Sequence, residues 1–189
     1  MTKIVGLLGA TLGLCGLVGT GARSSIYIIP SDSMRPTLTS GDVVWCMHRL
    51  EISRGDVIVF RHPQIGIGIK RVAGLSGDSV SYVRKELFVN EIGAKKILKR
   101  KLSATDPADL EFDETLFNKS FEIQEVFGGS LTDGRSEGAG YFVIGDNRDN
   151  SIDSRQLGRI SGASVVCKAV AIIATEVAGE MTFSRIRWL

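Results

Sequence analysis

Two serines separated by one residue lie in a short segment bounded by prolines, residues 30–36 (PSDSMRP). The prolines restrict the backbone at both ends, and the segment has the periodicity of neither a helix nor a core strand. A serine hydroxyl is a weak nucleophile until a neighbouring base takes its proton. Ser31 or Ser33 can therefore act as a nucleophile only if the rest of the chain supplies that base.

Histidine is the usual base, and the chain has two, His48 and His62. Neither lies beside a carboxylate in the manner of a catalytic triad, which favours exposed or structural histidines. A lysine can serve instead if burial lowers its pKa from about 10.4 towards 7–8. Lys70 fits this requirement best, because it lies in an apolar stretch with no acidic residue between positions 57 and 77.

The residues around Lys70 alternate in a way that predicts a β-strand over residues 65–72. Three isoleucines alternate there with Gly66, Gly68 and Lys70. In a strand, Lys70 then shares a face with the two glycines, where another backbone can approach closely. The alternative is a weak edge strand with an exposed lysine.

A polar stretch at residues 145–155 (GDNRDNSIDSR) contains a single apolar side chain. It directly follows an apolar segment that is typical of a short strand. Asn, Asp and Ser side chains bond to their own backbone in turns, and aspartates can pair with arginines. This composition predicts a loop rigid enough to position a hydroxyl group.

The composition predicts a mostly β protein with one main domain. The chain has 189 residues, of which 43% are hydrophobic, with 22 glycines and 4 prolines. A net charge of +2 gives no argument for nucleic acid as a partner. Residues 85–140 have a less regular pattern, which suggests an insertion. Strands are predicted at residues 42–47, 57–60, 65–72, 79–83, 87–89, 141–144, 158–160 and 164–174.

The three cysteines do not have the spacing of a metal site, so neither a metal nor another cofactor is expected. Cys15 lies in an apolar run and is interpreted as a small hydrophobic residue there. Cys46 and Cys167 each lie in a predicted strand. Two buried thiols and a disulfide in an oxidising compartment are both open interpretations of this pair.

Residues 4–22 carry no charged side chain. This length matches a membrane-spanning helix, which needs about 20 apolar residues. A cleaved signal peptide is the alternative, but its apolar region usually has only about 7–15 residues. We therefore expect residues 1–22 to be a retained anchor and residues 23–189 to lie outside the cytoplasm.

Three motifs, PSDSMRPTL, IKRVAGLSGD and GDNRDNSIDSRQLGRI, resemble those of type I signal peptidases in sequence and in order. This family comprises membrane-bound serine proteases with a Ser–Lys dyad. The resemblance implies a mostly antiparallel β-sheet catalytic domain on the membrane surface. Together with the pattern, this predicts a mostly β protein with an N-terminal transmembrane helix and a small inserted subdomain at residues 85–140. It implies cleavage of signal peptides from exported precursor proteins, after small residues at the first and third positions before the cut. The bilayer is then a further partner, in the bacterial plasma membrane or, alternatively, the mitochondrial inner membrane.

The resemblance also assigns roles to particular residues. Ser33 matches the nucleophile and Lys70 the general base. Ser31 matches the side-chain donor of the oxyanion hole, with the backbone N–H of Ser33 as the other donor. Ser151 matches the serine that bonds the lysine and orients it. The supporting loop is matched by Asp146, Arg148, Asp153 and Arg155.

Further contacts are expected around these residues. Asp153 should pair with Arg155, and Met34 should pack beneath Ser33 and Lys70. A carboxylate aimed at the lysine would favour its charged form. Asp32 should therefore point towards solvent or towards Arg35.

Three other functions compete with general signal peptide processing. A peptidase dedicated to one substrate, such as a conjugation-pilus subunit, would share the same motifs. A self-cleaving DNA-binding repressor also uses serine and lysine, but it should have a helix-turn-helix where this chain has an apolar run. A non-catalytic membrane-anchored β module is disfavoured by the complete set of Ser31, Ser33, Lys70 and Ser151.

Overall fold

The computed structural model describes residues 23–101, 109–128 and 133–189. The predicted anchor at residues 1–22 lies outside this part of the chain. None of the helices in these ranges combines the length and hydropathy needed to cross a bilayer. The strands are β1 (Ser24–Ile28), β2 (Asp42–Met47), β3 (Val57–His62), β4 (Gly66–Gly74), β5 (Val80–Val83), β6 (Glu86–Val89), β7 (Ile92–Gly93), β8 (Lys95–Lys101), β9 (Asp109–Leu116), β10 (Lys119–Val126), β11 (Gly134–Ser136), β12 (Phe142–Ile144), β13 (Val165–Val177), β14 (Glu180–Thr182) and β15 (Arg187–Trp188). One short helix, α1 (Ser154–Leu157), and a 3₁₀ turn (Gly162–Ser164) precede β13.

The largest sheet has the strand order β1-β2-β13-β3-β4-β12, and β14 and β15 also pair with β13. All of these pairs are antiparallel, which confirms the predicted mostly antiparallel β class. The 13-residue β13 lies at the centre, as its almost wholly apolar sequence predicts. The pairing of β12 with β4 joins Ile144 to Arg71. The polar loop that follows β12 therefore begins beside Lys70.

Two smaller sheets include most of the segment in which the sequence pattern is least regular. One has the order β10-β9-β8 and the other β11-β5-β6-β7. The turn between β5 and β6 contains Arg84 and Lys85, with φ values of 50° and 67°. Two consecutive residues with positive φ are typical of a type I′ hairpin turn, whose twist matches that of the flanking strands.

The prediction of a strand at residues 158–160 is wrong. Only one bridge forms there, between Tyr141 and Ile160. The preceding residues instead form α1, because the Asp153 side chain accepts a hydrogen bond from the backbone of the first turn and the Gln156 side chain accepts one from the Asp153 N–H. Gly158 ends the helix with a φ of 74°, which glycine adopts without a Cβ penalty.

The expectation of an open sheet face beside Lys70 is also wrong at one of the two glycines, Gly68. Gly68 pairs with Phe60 across the sheet, and a Cβ at Gly68 would lie 2.7 Å from the Phe60 ring. Gly66, by contrast, has open space around it. Glycine at position 68 therefore makes room for the aromatic ring of this chain and leaves the face covered.

A disulfide joins Cys46 on β2 to Cys167 on β13, with a Cα–Cα distance of 5.8 Å. The two strands are neighbours in the large sheet, so the choice between free thiols and a disulfide is resolved by their pairing. The bond links residues 121 positions apart. A crosslink over so long a separation restricts the unfolded chain strongly.

We expect the Cys46→Ala/Cys167→Ala variant to be less stable than the parent by about 2–5 kcal/mol in free energy of unfolding, because the unfolded chain regains its freedom. Urea titration of both proteins measures the difference. Adding a reductant should move the parent's midpoint towards that of the variant and leave the variant unchanged. Equal midpoints for all samples would show that the bond contributes nothing.

Candidate functional site

Ser33 and Lys70 meet beside strand β4 of the large sheet. Lys70 lies on β4 and is only 5% exposed, while Ser33 lies in the turn after β1. The Lys70 Nζ donates hydrogen bonds to Ser33 Oγ at 2.7 Å and to the carbonyl oxygen of Ile69 at 2.8 Å. A lysine and a serine hydroxyl in direct contact, largely shielded from water, can exchange a proton.

Burial lowers the pKa of Lys70 to about 8, since the charged ammonium loses its hydration. The charges of Asp153 and then Asp146 act in the opposite direction and raise the pKa. Each of these carboxylates is paired with an arginine. Arg155 donates to the two oxygens of Asp153 at 2.8 Å each, and Arg71 donates to those of Asp146 at 2.8 and 2.6 Å. The arginines neutralise the carboxylates, so desolvation remains the dominant influence on the lysine.

Two sets of contacts hold the turn that carries Ser33, one in the core and one to the loop after β12. Met34 is fully buried in a core cluster that also contains Ile69, the residue before Lys70. Thr37 Oγ1 donates to Asp146 at 2.5 Å and accepts a bond from Arg71 at 3.1 Å. The turn after β1 and the loop after β12 are therefore held by the same carboxylate.

The loop at residues 145–155 contacts the Ser33 turn through its backbone. The N–H of Asn147 donates to the carbonyl oxygen of Ser33 at 3.1 Å, and the Asn147 side chain donates to that of Asp32 at 3.2 Å. A Cβ at Gly145 would collide with the Ser33 carbonyl and with the Ser151 side chain. Glycine at position 145 thus allows the loop to approach the turn closely. The loop itself is stabilised by the bond from the Gly145 N–H to Asp153 at 2.9 Å.

The expected bond between Ser151 and Lys70 is not present. Ser151 Oγ is buried and has no hydrogen-bond partner among the described residues. The hydrogen bonds of the Lys70 amine go instead to Ser33 and to the carbonyl of Ile69. Ser151 nevertheless lies within the site, against Gly145.

Ser31 and Asp32 precede Ser33 in the same turn. Ser31 is exposed, with its Oγ 3.4 Å from the Oγ of Ser33, close enough to donate to an oxygen bound beside Ser33. Asp32 accepts a hydrogen bond from the Ser40 N–H at 2.9 Å and lies 3.7 Å from Arg35. Its carboxylate is thus directed to the outside of the turn, as expected.

Neither histidine is bonded to Ser33. His48 is hydrogen-bonded to Ser25 at 2.8 Å, and His62 accepts a bond from the N–H of Gln64 at 3.3 Å. His48 directly follows strand β2 and His62 is the last residue of strand β3. The structural interpretation of the two histidines therefore agrees with their contacts.

Sequence reasoning missed Arg71. This arginine donates both to Thr37 in the turn after β1 and to Asp146 in the loop after β12. The signal was available: an arginine directly after Lys70 in an apolar strand faces the opposite side of the sheet, and a buried guanidinium needs a carboxylate partner. It also missed Glu114, which is paired with the fully buried Arg148. No local pattern identifies Glu114, because it lies 34 positions from its partner.

Comparisons with known proteins agree with the resemblance of the motifs. A family model described as signal peptidase, peptidase S26, matches residues 1–174. Signal peptidase I of Pseudomonas fluorescens is 36% identical over 181 residues, a match that covers 77% of this chain and 63% of that protein. Signal peptidase I V of Bacillus subtilis is 33% identical over 146 residues, covering 74% of this chain and 80% of that protein.

A solved structure of a signal peptidase I from Enterococcus faecalis is 28% identical, covers 61% of this chain and 94% of its own, and has a TM-score of 0.38. The chain spans slightly less than two thirds of the length of the Pseudomonas relative. The family model, however, extends over most of the chain and includes all three motifs. The chain therefore belongs to the signal peptidase family, peptidase S26.

Proposed function

We propose that the chain is a serine endopeptidase that cleaves signal peptides from exported precursor proteins with Ser33 as nucleophile and Lys70 as general base. The observation that carries this proposal is the 2.7 Å contact between Lys70 Nζ and Ser33 Oγ at a buried lysine. The same contact favours an enzyme over a non-catalytic β module, since a buried lysine on a serine hydroxyl has no evident structural benefit. The comparisons lend no support to a pilin-dedicated peptidase.

In its neutral form the Lys70 amine has two N–H donors and one lone pair. One N–H can keep its bond to the carbonyl of Ile69, which leaves the lone pair for the hydroxyl proton of Ser33. As that proton moves to the amine, the Ser33 oxygen attacks the scissile carbonyl and forms a tetrahedral intermediate. The ammonium then gives the proton to the leaving nitrogen, so that the C–N bond breaks and an acyl-enzyme remains. In a second step the same base activates a water molecule, which releases the acyl group from Ser33.

Negative charge develops on the carbonyl oxygen of the substrate during both steps. The Ser33 N–H and the Ser31 hydroxyl are the proposed donors to it, and the exposed position of Ser31 leaves it accessible to substrate. Donors that are already oriented towards the developing charge stabilise the transition state more than the ground state. The bonds that fix the Ser33 turn therefore contribute to catalysis by keeping these donors in place.

The proposal includes attachment to the bacterial plasma membrane through residues 1–22, with the catalytic domain outside the cytoplasm. The apolar character of residues 4–22 supports this location. The Cys46–Cys167 disulfide gives independent support, because such bonds persist in oxidising compartments and are rare in the cytosol. Precursor proteins and lipid are thus the proposed partners.

Ser33→Ala and Lys70→Ala should each abolish cleavage of a model precursor, because one removes the attacking oxygen and the other its base. Gel analysis of precursor and product with the full chain in lipid vesicles measures the loss, and thermal unfolding checks that both variants fold. Ser40→Ala, an exposed position of the same turn, is the matched control and should retain parental activity. Retained cleavage in either dyad variant would refute the proposed roles.

The value of kcat/KM should rise with pH through about pH 8 and level off above it, since Lys70 must lose its proton to act as base. Arg155→Gln leaves the charge of Asp153 uncompensated beside Lys70, so the rising limb should move to higher pH by about one unit. Steady-state rates from pH 6 to pH 10 measure both limbs. Coincident limbs for the parent and Arg155→Gln would contradict the proposed charge balance.

Lys70→Met should raise the free energy of unfolding at pH 7 by about 1–3 kcal/mol, because methionine fills the site without a buried charge. The folded-state pKa of about 8 lies below the ordinary 10.5, so the unfolded chain binds the proton more tightly. In the parent, the loss of folding free energy caused by the buried charge of Lys70 is then complete below about pH 8 and vanishes above about pH 10.5. Urea titrations at pH 7 and pH 10 measure this, with the exposed Lys95→Met as control. A gain that does not shrink at high pH would rule out this origin.

A further inference from the structure

The three-stranded sheet β8–β9–β10 makes backbone contact with the loop that supports Ser33. The N–H of Gln124 on β10 donates to the carbonyl of Asp146, and the N–H of Arg148 donates to the carbonyl of Gln124, both at 2.9 Å. Asn147 thereby forms a parallel bridge with Gln124. The loop is thus partly paired as an additional strand beside a sheet that the three catalytic motifs do not include.

A buried ion pair reinforces this junction. The side chains of Arg148 and Glu114 are 0% and 1% exposed. Both terminal nitrogens of the guanidinium donate to the carboxylate of Glu114, one of them at 2.9 Å. The remaining Nε of Arg148 donates to the carbonyl of Gly145 at 3.2 Å. Glu114 therefore fixes the orientation of an arginine that in turn holds the backbone of the loop.

The loop backbone at this point lies directly against the nucleophile. Gly145 packs on the carbonyl oxygen of Ser33 and on Ser151, and the N–H of Asn147 donates to the same Ser33 carbonyl. A continuous series of contacts thus runs from Glu114 through Arg148 and Gly145 to the peptide group of Ser33. The adjoining N–H of Ser33 is the proposed oxyanion donor.

A second contact from the same sheet acts on the other side of the loop. The guanidinium of Arg71 lies 4.1 Å from the ring centroid of Phe121 on β10. Arg71 also donates to Asp146 and to Thr37. The aromatic ring limits the movement of the arginine that joins the two loops.

We propose that the sheet β8–β9–β10 is part of the catalytic scaffold and that Glu114 is a positioning residue, acting through Arg148 and Gly145 on Ser33. The expected effect on kcat rests on the proposed peptidase function. The expected effect on the structure, that Glu114 holds the loop at residues 145–155, is independent of that function. Glu114 touches neither substrate nor the reacting atoms.

Neutralising Glu114 leaves the buried charge of Arg148 without its main partner. The nearest other carboxylate is Glu125, whose Oε1 lies 4.0 Å from Arg148 Nη1. The guanidinium is then drawn towards Glu125 and away from the orientation that places its Nε on Gly145. A small displacement of the loop misaligns the Ser33 turn, to which the reaction rate is sensitive.

Glu111 offers a matched control on the same strand. It lies on β9 and is 0% exposed, and Arg100 on β8 donates to it at 2.9 Å. Glu111→Gln and Glu114→Gln each remove one buried carboxylate charge from β9. The arginine left without that partner is the exposed Arg100 in the first variant and the buried Arg148 in the second. Of these two glutamate side chains, Glu114 alone is hydrogen-bonded to residues 145–155 in the described part of the chain.

The experiment measures amide hydrogen exchange and precursor cleavage for the full chain, the two glutamine variants and Glu114→Asp. In Glu114→Gln we expect faster exchange at the N–H groups of Asn147 and Arg148, with exchange in β13 unchanged. We expect kcat to fall by about tenfold to a hundredfold with little change in KM, since alignment is lost and substrate contacts are not. Glu111→Gln should keep parental exchange at the loop and parental kcat, and Glu114→Asp, which retains the charge, should recover part of the loss.

Parental kcat and parental exchange at Asn147 and Arg148 in Glu114→Gln would overturn the proposal, as would an equal loss in Glu111→Gln. If Glu114→Gln fails to fold, Glu114→Asp and Glu111→Asp form the matched pair, with the same expected contrast. If the parent cleaves no precursor, the peptidase function fails, while the exchange data still decide whether Glu114 holds the loop.

Discussion

Burial of a single amine beside a hydroxyl is the constraint on which the site depends. Lys70 can accept a proton from Ser33 only if it is neutral, yet Asp153 and Asp146 lie close enough to favour its charged form. The fold meets this constraint by placing an arginine on each carboxylate and by leaving the lysine almost without solvent contact. The aspartates can then bind backbone N–H and hydroxyl groups of both loops without holding the lysine in its charged state.

The large sheet and the sheet β8–β9–β10 hold different parts of the site. Strand β4 carries Lys70 and Arg71 on opposite faces, so one strand supplies both the proposed base and the arginine that fixes the two loops. The large sheet holds β4 through β3 and the central β13. The sheet β8–β9–β10 braces the loop from outside through Gln124 and Glu114. The polar loop is hydrogen-bonded to several elements at once, which restricts its movement.

The sequence predicted the parts of this site that depend on residue type and short spacing. Strand β2 has the predicted bounds. Ser33 and Lys70, which only the resemblance of the motifs paired, are in contact although 37 positions separate them. The errors have several origins. Phe60 covers the glycine face because of cross-strand register, and Ser151 has no bond to the lysine. At residues 158–160 only one bridge forms, directly after a short helix that the local capping box of Asp153 begins. The partnership of Glu114 with Arg148 leaves no local trace in the sequence, since either residue alone reads as a solvated charge.

The central position of β13 has a consequence for when the site can form. Its partner β2 lies near the N-terminal end of the chain, and β13 lies near the other end. During synthesis the segments that carry Ser33 and Lys70 emerge long before the strand that joins β2 to β3. Pairing between such distant segments is slow and cannot be completed by a partial chain. In a nascent or truncated chain that lacks β13, the turn with the proposed nucleophile Ser33 and the strand with the proposed base Lys70 are therefore not yet held together by the large sheet.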